Sequence, residues 1–175
     1  MKKIYITGCA KTGTTLVRRL FNAFELKVYN FKEISLKNFL DSDFNVGKRT
    51  HDTIFSNSLS PSQIQSQLKL IKNINVINVT RNKEDVLKSD GGWVKESRYN
   101  SCLDQAKKYS SYINYTIKYE NLLLDPNLIQ EEIADKLNLK ILYKWDTYPS
   151  FINLEEENQS TLKGIYKLRS IGEPK

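Results

Sequence analysis

Apolar and polar positions change period several times along the chain. Residues 4–7 (Ile4, Tyr5, Ile6, Thr7) form a short β-type run that meets a turn holding Gly8 and Gly13. Leu16, Val17, Leu20, Phe21 and Phe24 then recur at helical spacing. Residues 26–31 alternate and predict a strand, residues 34–40 a short helix, and residues 44–51 an initially extended stretch. Ser60-Pro61 starts a helix, with serine as N-cap and proline at the first helical position. Its apolar face is Ile64, Leu68 and Ile71, and it ends near Asn73. The β-branched run 74–80 predicts a strand, followed by a short helix over 84–89 and a loop over 90–93. Residues 97–113 read as helix and 115–120 as strand. Asp125-Pro126 caps a helix with Leu128, Ile129, Ile133 and Leu137 on one face and Asn138 near its end. Residues 140–160 follow neither period. Strands alternating with helices predict an α/β fold in which a parallel sheet carries helices on both faces, within one domain spanning 1–175. In such sheets ligands sit beyond the carboxyl ends of the strands.

Composition narrows the class. Hydrophobic residues make up 39% and charged residues 27% of the 175, as in a folded soluble domain. The net charge of +7 calls for anionic partners. The basic residues are dispersed and accompany no aromatic stacking motif, which argues against a nucleic-acid-binding module. Two cysteines without metal-ligand spacing predict free thiols in a reducing compartment, and the single histidine gives no zinc set. Met1-Lys2-Lys3 precedes too few apolar residues for a signal sequence, and no apolar run approaches a membrane span. The expectation is a cytoplasmic protein with no metal, no membrane and no nucleic-acid partner.

The chemistry concentrates at strand ends. Strand, glycine loop and helix over 4–21 make a P-loop-type phosphate cradle, where backbone N–H groups and a helix N-terminus favour an anion. Gly8 and Gly13 have the spacing of an ATP-binding loop, but Thr14 stands where that loop has its lysine. The charge comes earlier, in Lys11-Thr12-Gly13-Thr14-Thr15. After the 74–80 run, Arg81 is followed eight residues later by Ser89, a guanidinium and a hydroxyl able to hold a phosphate from two sides. Lys48-Arg49-Thr50-His51 sets the only histidine behind two cations, and histidine is the side chain that titrates near neutrality. Tyr119 offers a ring to stack on a base or to pack in the sheet.

In this order the four pieces resemble the PAPS-dependent sulfotransferase family, whose donor is 3′-phosphoadenosine-5′-phosphosulfate. Lys11-Thr12-Gly13-Thr14-Thr15 is similar to the family's first loop. Arg81, Asp85-Val86 and Ser89 are similar to its 3′-phosphate motif, Arg49-Thr50-His51 to its Lys-Thr-His, and Tyr119-Glu120-Asn121-Leu122 with Asp125-Pro126 to its Tyr-Glu-Asp-Leu and Asp-Pro. The likeness spans residues 4 to 138. Lys83 replaces a usual proline, Arg49 replaces a lysine, and the C-terminal glycine-rich motif is reduced to Lys163-Gly164 and Arg169 to Gly172.

The resemblance implies transfer of a sulfuryl group to a hydroxyl or amine of a small-molecule or saccharide acceptor, without a metal. It implies that residues 12–15 hold the 5′-phosphate and that Lys11 neutralises the leaving oxygen. Arg81 and Ser89 would bind the 3′-phosphate. His51 would take the acceptor's proton, with Asp52 as a fallback, and Arg49 would steady the sulfuryl oxygens. The acceptor would meet residues 33–44, 90–100 and the C-terminal segment. A small P-loop kinase, a nucleic-acid-binding module and a nucleotide-binding protein without turnover are the alternatives.

Overall fold

The computed structural model describes residues 2–29, 33–51, 53–56, 59–89 and 94–148. Its centre is β1 (Ile4–Gly8), flanked by β2 (Val46–Lys48) and β3 (Asn75–Thr80), with β4 (Tyr115–Lys118) beyond β3. All three pairings are parallel, in the order β2-β1-β3-β4. The helices are α1 (Thr14–Leu20), α2 (Leu36–Asp41), α3 (Pro61–Ile71), α4 (Lys83–Lys88), α5 (Glu96–Lys108), α6 (Tyr119–Leu124) and α7 (Pro126–Leu137). The chain is thus α/β with a four-stranded parallel sheet.

The strand period of two divides the core. Ile4 and Ile6 point with Ile77, Val79 and Ile117 to one face, where α1 contributes Val17 and Leu20, and α7 contributes Ile133 and Leu137. Tyr5 and Val76 point to the other face, against Phe39 of α2 and Ile71 of α3. Both faces are therefore covered, and β1 is buried along its whole length. That is the environment in which a continuous apolar run is stable as a parallel strand.

Local signals set the helix ends. Ser60 and Gln63 form a reciprocal capping box at α3, with Pro61 at its first position. The Asp125 side chain accepts from the Leu128 N–H at α7, and Asn138 closes that helix at φ 46°.

Several expected boundaries move. Residues 26–29 form no strand; Val28 makes a single bridge to Val46, and the Lys27 N–H goes to the Asn45 side chain. The rest of that stretch, 30–31, lies outside the described residues. The helix expected through 113 stops at Lys108, and a 3₁₀ turn (Ser110–Tyr112) redirects the chain into β4. Tyr119 and Glu120 belong to α6, where the Glu120 carboxylate accepts from the Asn82 N–H at 2.7 Å. Past Leu20 the first helix tightens into a 3₁₀ turn, and Phe24 is extended.

The unpatterned segment 140–148 holds a main core residue. Trp145 is fully buried against the rings of Phe21 and Phe24, and its indole N–H donates to the Leu20 carbonyl at 2.9 Å. The expected loop 90–93 and the C-terminal remnants 163–172 lie outside the described residues. Among the described residues no helix is long and apolar enough to cross a membrane.

Candidate functional site

Three neighbouring strands deliver their carboxyl ends to one place. β1 ends in the loop 9–13, β2 in residues 49–51 and β3 in Arg81. Between them lies a cavity of about 360 Å³, within the usual range of small-ligand sites. The loop and α1 line it with Ala10, Lys11, Gly13, Thr14 and Thr15. The end of β2 adds Lys48, Thr50 and His51, and the β3–α4 side adds Arg81 and Ser89.

The loop conformation is forced. Gly13 has φ 94°, and a Cβ there would stand 2.3 Å from the Tyr119 ring. Gly8 has φ 151°, and a Cβ there would meet the Val79 carbonyl at 2.4 Å. Lys11 sits at φ 69°, a left-handed position that costs a non-glycine residue energy and that surrounding structure must hold. Part of that support is visible. Thr12 is buried with its hydroxyl on the Cys9 carbonyl at 2.7 Å, and the Lys11 carbonyl accepts from Arg81 Nη1 at 3.4 Å.

At the β2 end the charges are paired inside the protein. Lys48 donates to Thr15 Oγ1 at 3.1 Å and lies 3.4 Å from a Glu33 carboxylate oxygen. The same oxygen accepts from the Thr50 N–H at 3.2 Å and the Thr50 hydroxyl at 2.7 Å. Burial works to raise the Glu33 pKa, but the Thr50 hydrogen bonds and the Lys48 charge outweigh it and hold the group below its usual value. Burial pulls the Lys48 pKa down, with the Glu33 carboxylate opposing. His51 accepts a hydrogen bond at its backbone carbonyl from Arg49 Nε at 2.9 Å, and its ring Nδ1 meets Arg98 Nη2.

At the β3 end Arg81 lies over an aromatic ring. Its guanidinium carbon is 4.8 Å from the centre of the Tyr119 ring. The Tyr99 hydroxyl fixes its carbonyl at 2.7 Å. The Arg81 Nε–H is buried with no acceptor among the described residues, which is unusual for a charged donor in a folded protein. Ser89 caps α4, its hydroxyl donating to the Val86 carbonyl at 2.8 Å.

Of the residues expected at the site, Lys11, Gly13, Thr14, Thr15, His51, Arg81 and Ser89 come together around the cavity. Thr12, Arg49 and Tyr119 do not line it. Thr12 turns inward, Arg49 braces the backbone of His51, and Tyr119 lies under Gly13 and Arg81. Asp52 lies outside the described residues.

Sequence reasoning saw Lys48 as a strand-end cation but gave it no role, and it reached Glu33 and Arg98 only as members of the segments 33–44 and 90–100. Lys48 stands at the last position of a buried strand. Glu33 and Arg98 reach the site only through tertiary contacts. No metal-binding group of three or more His, Cys, Asp or Glu occurs among the described residues. No protein-family model matches the chain, and no curated protein matches it significantly.

Proposed function

We propose that the chain is a PAPS-dependent sulfotransferase built on a P-loop-type sheet, and that the cavity holds the nucleotide donor. One observation carries this reading. The strand-loop-helix segment with Lys11, Thr14 and Thr15 and the separate pair Arg81 and Ser89 line the same cavity, together with His51. A ligand with phosphate at both ends of a ribose uses both sets; a ligand with one phosphate group leaves one set idle.

The chemistry asked of these residues is charge work and alignment. Lys11 would neutralise the 5′-phosphate oxygen that leaves as the S–O bond breaks, and Lys48, tied to Thr15 and Glu33, would hold the start of α1 in position. Arg81, held by Tyr119, would present its fork to the 3′-phosphate, and the orphan Nε–H would gain its acceptor there. Ser89 would turn its hydroxyl from Val86 to the same phosphate. His51 would receive the acceptor's proton as the new O–S or N–S bond forms. The acceptor is a hydroxyl or amine of a small molecule or saccharide.

Calorimetry with adenosine 3′,5′-bisphosphate tests the donor site. The nucleotide is expected to bind, and Lys11→Ala and Arg81→Ala are both expected to weaken it. Equal affinity for wild type and both variants would overturn the assignment. A labelled-sulfate transfer assay from PAPS across acceptor classes then tests turnover.

A further inference from the structure

We propose that Arg98 is a positioning residue that locks the His51 ring as its Nε2–H tautomer and withholds both ring nitrogens from proton transfer until the guanidinium swings away. A guanidinium is permanently charged and only donates hydrogen bonds. Its Nη2 faces Nδ1 of His51, so Nδ1 must be the acceptor in that pair. In a neutral imidazole the proton then belongs to Nε2. The lone pair on Nδ1 is engaged, and Nε2 already carries hydrogen. A general base needs a bare nitrogen facing the proton it takes. With Arg98 in place neither nitrogen qualifies, whichever one faces the acceptor.

The framework around this contact is fixed, and the contact itself lies at the surface. Tyr99, next in sequence, is buried and tied to the Arg81 carbonyl at 2.7 Å. One turn further on, Cys102 packs in a small buried cluster with Cys9 of the loop. The backbone of His51 is held by Arg49 at 2.9 Å. Arg98 itself is exposed, so the guanidinium can leave for water at little desolvation cost, and an anion entering the adjacent cavity draws it in the same way. The resting ring is thus a hydrogen-bond donor through Nε2, and release of Arg98 is what converts it to a base. The catalytic meaning of this lock rests on the proposed sulfuryl transfer; the lock itself does not.

Because His51 is the only histidine in the chain, one pair of ring ¹⁵N signals reports it without assignment. At a pH above the ring titration, wild type and Arg98→Lys are expected to show Nε2–H with a bare Nδ1. Arg98→Glu puts an acceptor opposite Nδ1 and is expected to move the proton there. The second readout is carbethoxylation by diethylpyrocarbonate, which needs a bare nitrogen. Arg98→Ala is expected to react about fivefold faster than wild type or more, the ratio that corresponds to one net hydrogen bond of ordinary strength. An Arg98→Glu ring that keeps Nε2–H, or equal carbethoxylation rates in wild type and Arg98→Ala, overturns the proposal. Neither measurement uses a nucleotide. Failure to bind adenosine 3′,5′-bisphosphate would therefore defeat the sulfotransferase reading and leave the lock standing, and the reverse holds as well.

Discussion

The β2 wall of the cavity and the β3 wall both present cations, but they treat them in opposite ways. On the β2 wall Lys48 is matched by Glu33, and that carboxylate is matched in turn by Thr50. On the β3 wall Arg81 is held by an aromatic face and one long hydrogen bond, with its Nε–H unsatisfied. A wall whose charges already cancel contributes position and local polarity. A wall with an unspent cation contributes affinity for an anion. Substitutions on the first wall are therefore expected to change stability, and substitutions on the second to change binding.

The seam between the loop and the β3 wall gives the largest expected effect. Gly13→Ala forces a methyl into the Tyr119 ring and an alanine into φ 94°. Overpacking and the left-handed backbone together are expected to cost about 2–4 kcal/mol. Urea unfolding measures the loss, and nucleotide binding should fall with it because Tyr119 also supports Arg81. A smaller ring position, in Gly13→Ala with Tyr119→Leu, should recover part of the stability. It should not recover the binding, since the stacking face is gone.

Glu33→Gln separates the walls next. It leaves Lys48 without its counter-charge and weakens two acceptor contacts, at an expected cost of about 1–3 kcal/mol. The pH dependence gives the sign. Because the folded pKa of Glu33 is depressed, its stabilisation is fully present above the unfolded carboxylate value of about 4.3 and is lost as pH falls through the lower folded value. Wild type should therefore lose stability in acid more steeply than Glu33→Gln over that interval, as followed by thermal unfolding. Parallel curves would mean that the β2 wall is not held by this pair.

Arg81→Met makes the opposite cut. The methionine keeps a long apolar contact with Tyr119, so unfolding is expected to shift by no more than about 1 kcal/mol. Binding of adenosine 3′,5′-bisphosphate is expected to weaken by about 1.5–3 kcal/mol, the range for hydrogen bonds to charged groups. A stability loss larger than the binding loss would erase the contrast between the walls.

The sequence made the β3 wall and the loop visible for a physical reason. Gly8 and Gly13 are demanded by backbone angles, and Arg81 follows a β-branched run whose end is easy to see. The pairing on the β2 wall was hidden because its partners are set by the fold. Glu33 reaches Thr50 across 17 residues and Arg98 reaches His51 across 47, and neither lies in a periodic pattern that points at the site. Trp145 was hidden in the same way, as one aromatic in an unpatterned segment whose burial depends on the Leu20 carbonyl and the Phe21 and Phe24 rings. Periodicity also overran its limit at α5. Tyr109, Tyr112 and Ile113 continue an apolar rhythm, yet the chain must turn there to bring Tyr115 beside Ile77.

Ser89→Ala is expected to have the smallest effect and gives the finest discrimination. In the structure the Ser89 hydroxyl donates to the Val86 carbonyl of its own helix, so its removal is expected to change stability by less than about 1 kcal/mol. Under the proposed function, its role on the β3 wall begins when a phosphate replaces Val86 as its acceptor. The net gain is an exchange of one hydrogen bond for a charge-assisted one, about 0.5–1.5 kcal/mol. That loss should appear with adenosine 3′,5′-bisphosphate and vanish with adenosine 5′-monophosphate, which has nothing at the 3′ position. Arg81→Met should show the same selectivity at larger size, whereas Lys11→Ala should weaken both nucleotides. If Ser89→Ala weakens both equally, the β3 wall is reading the sugar or the base, and the division of the cavity into two phosphate ends fails.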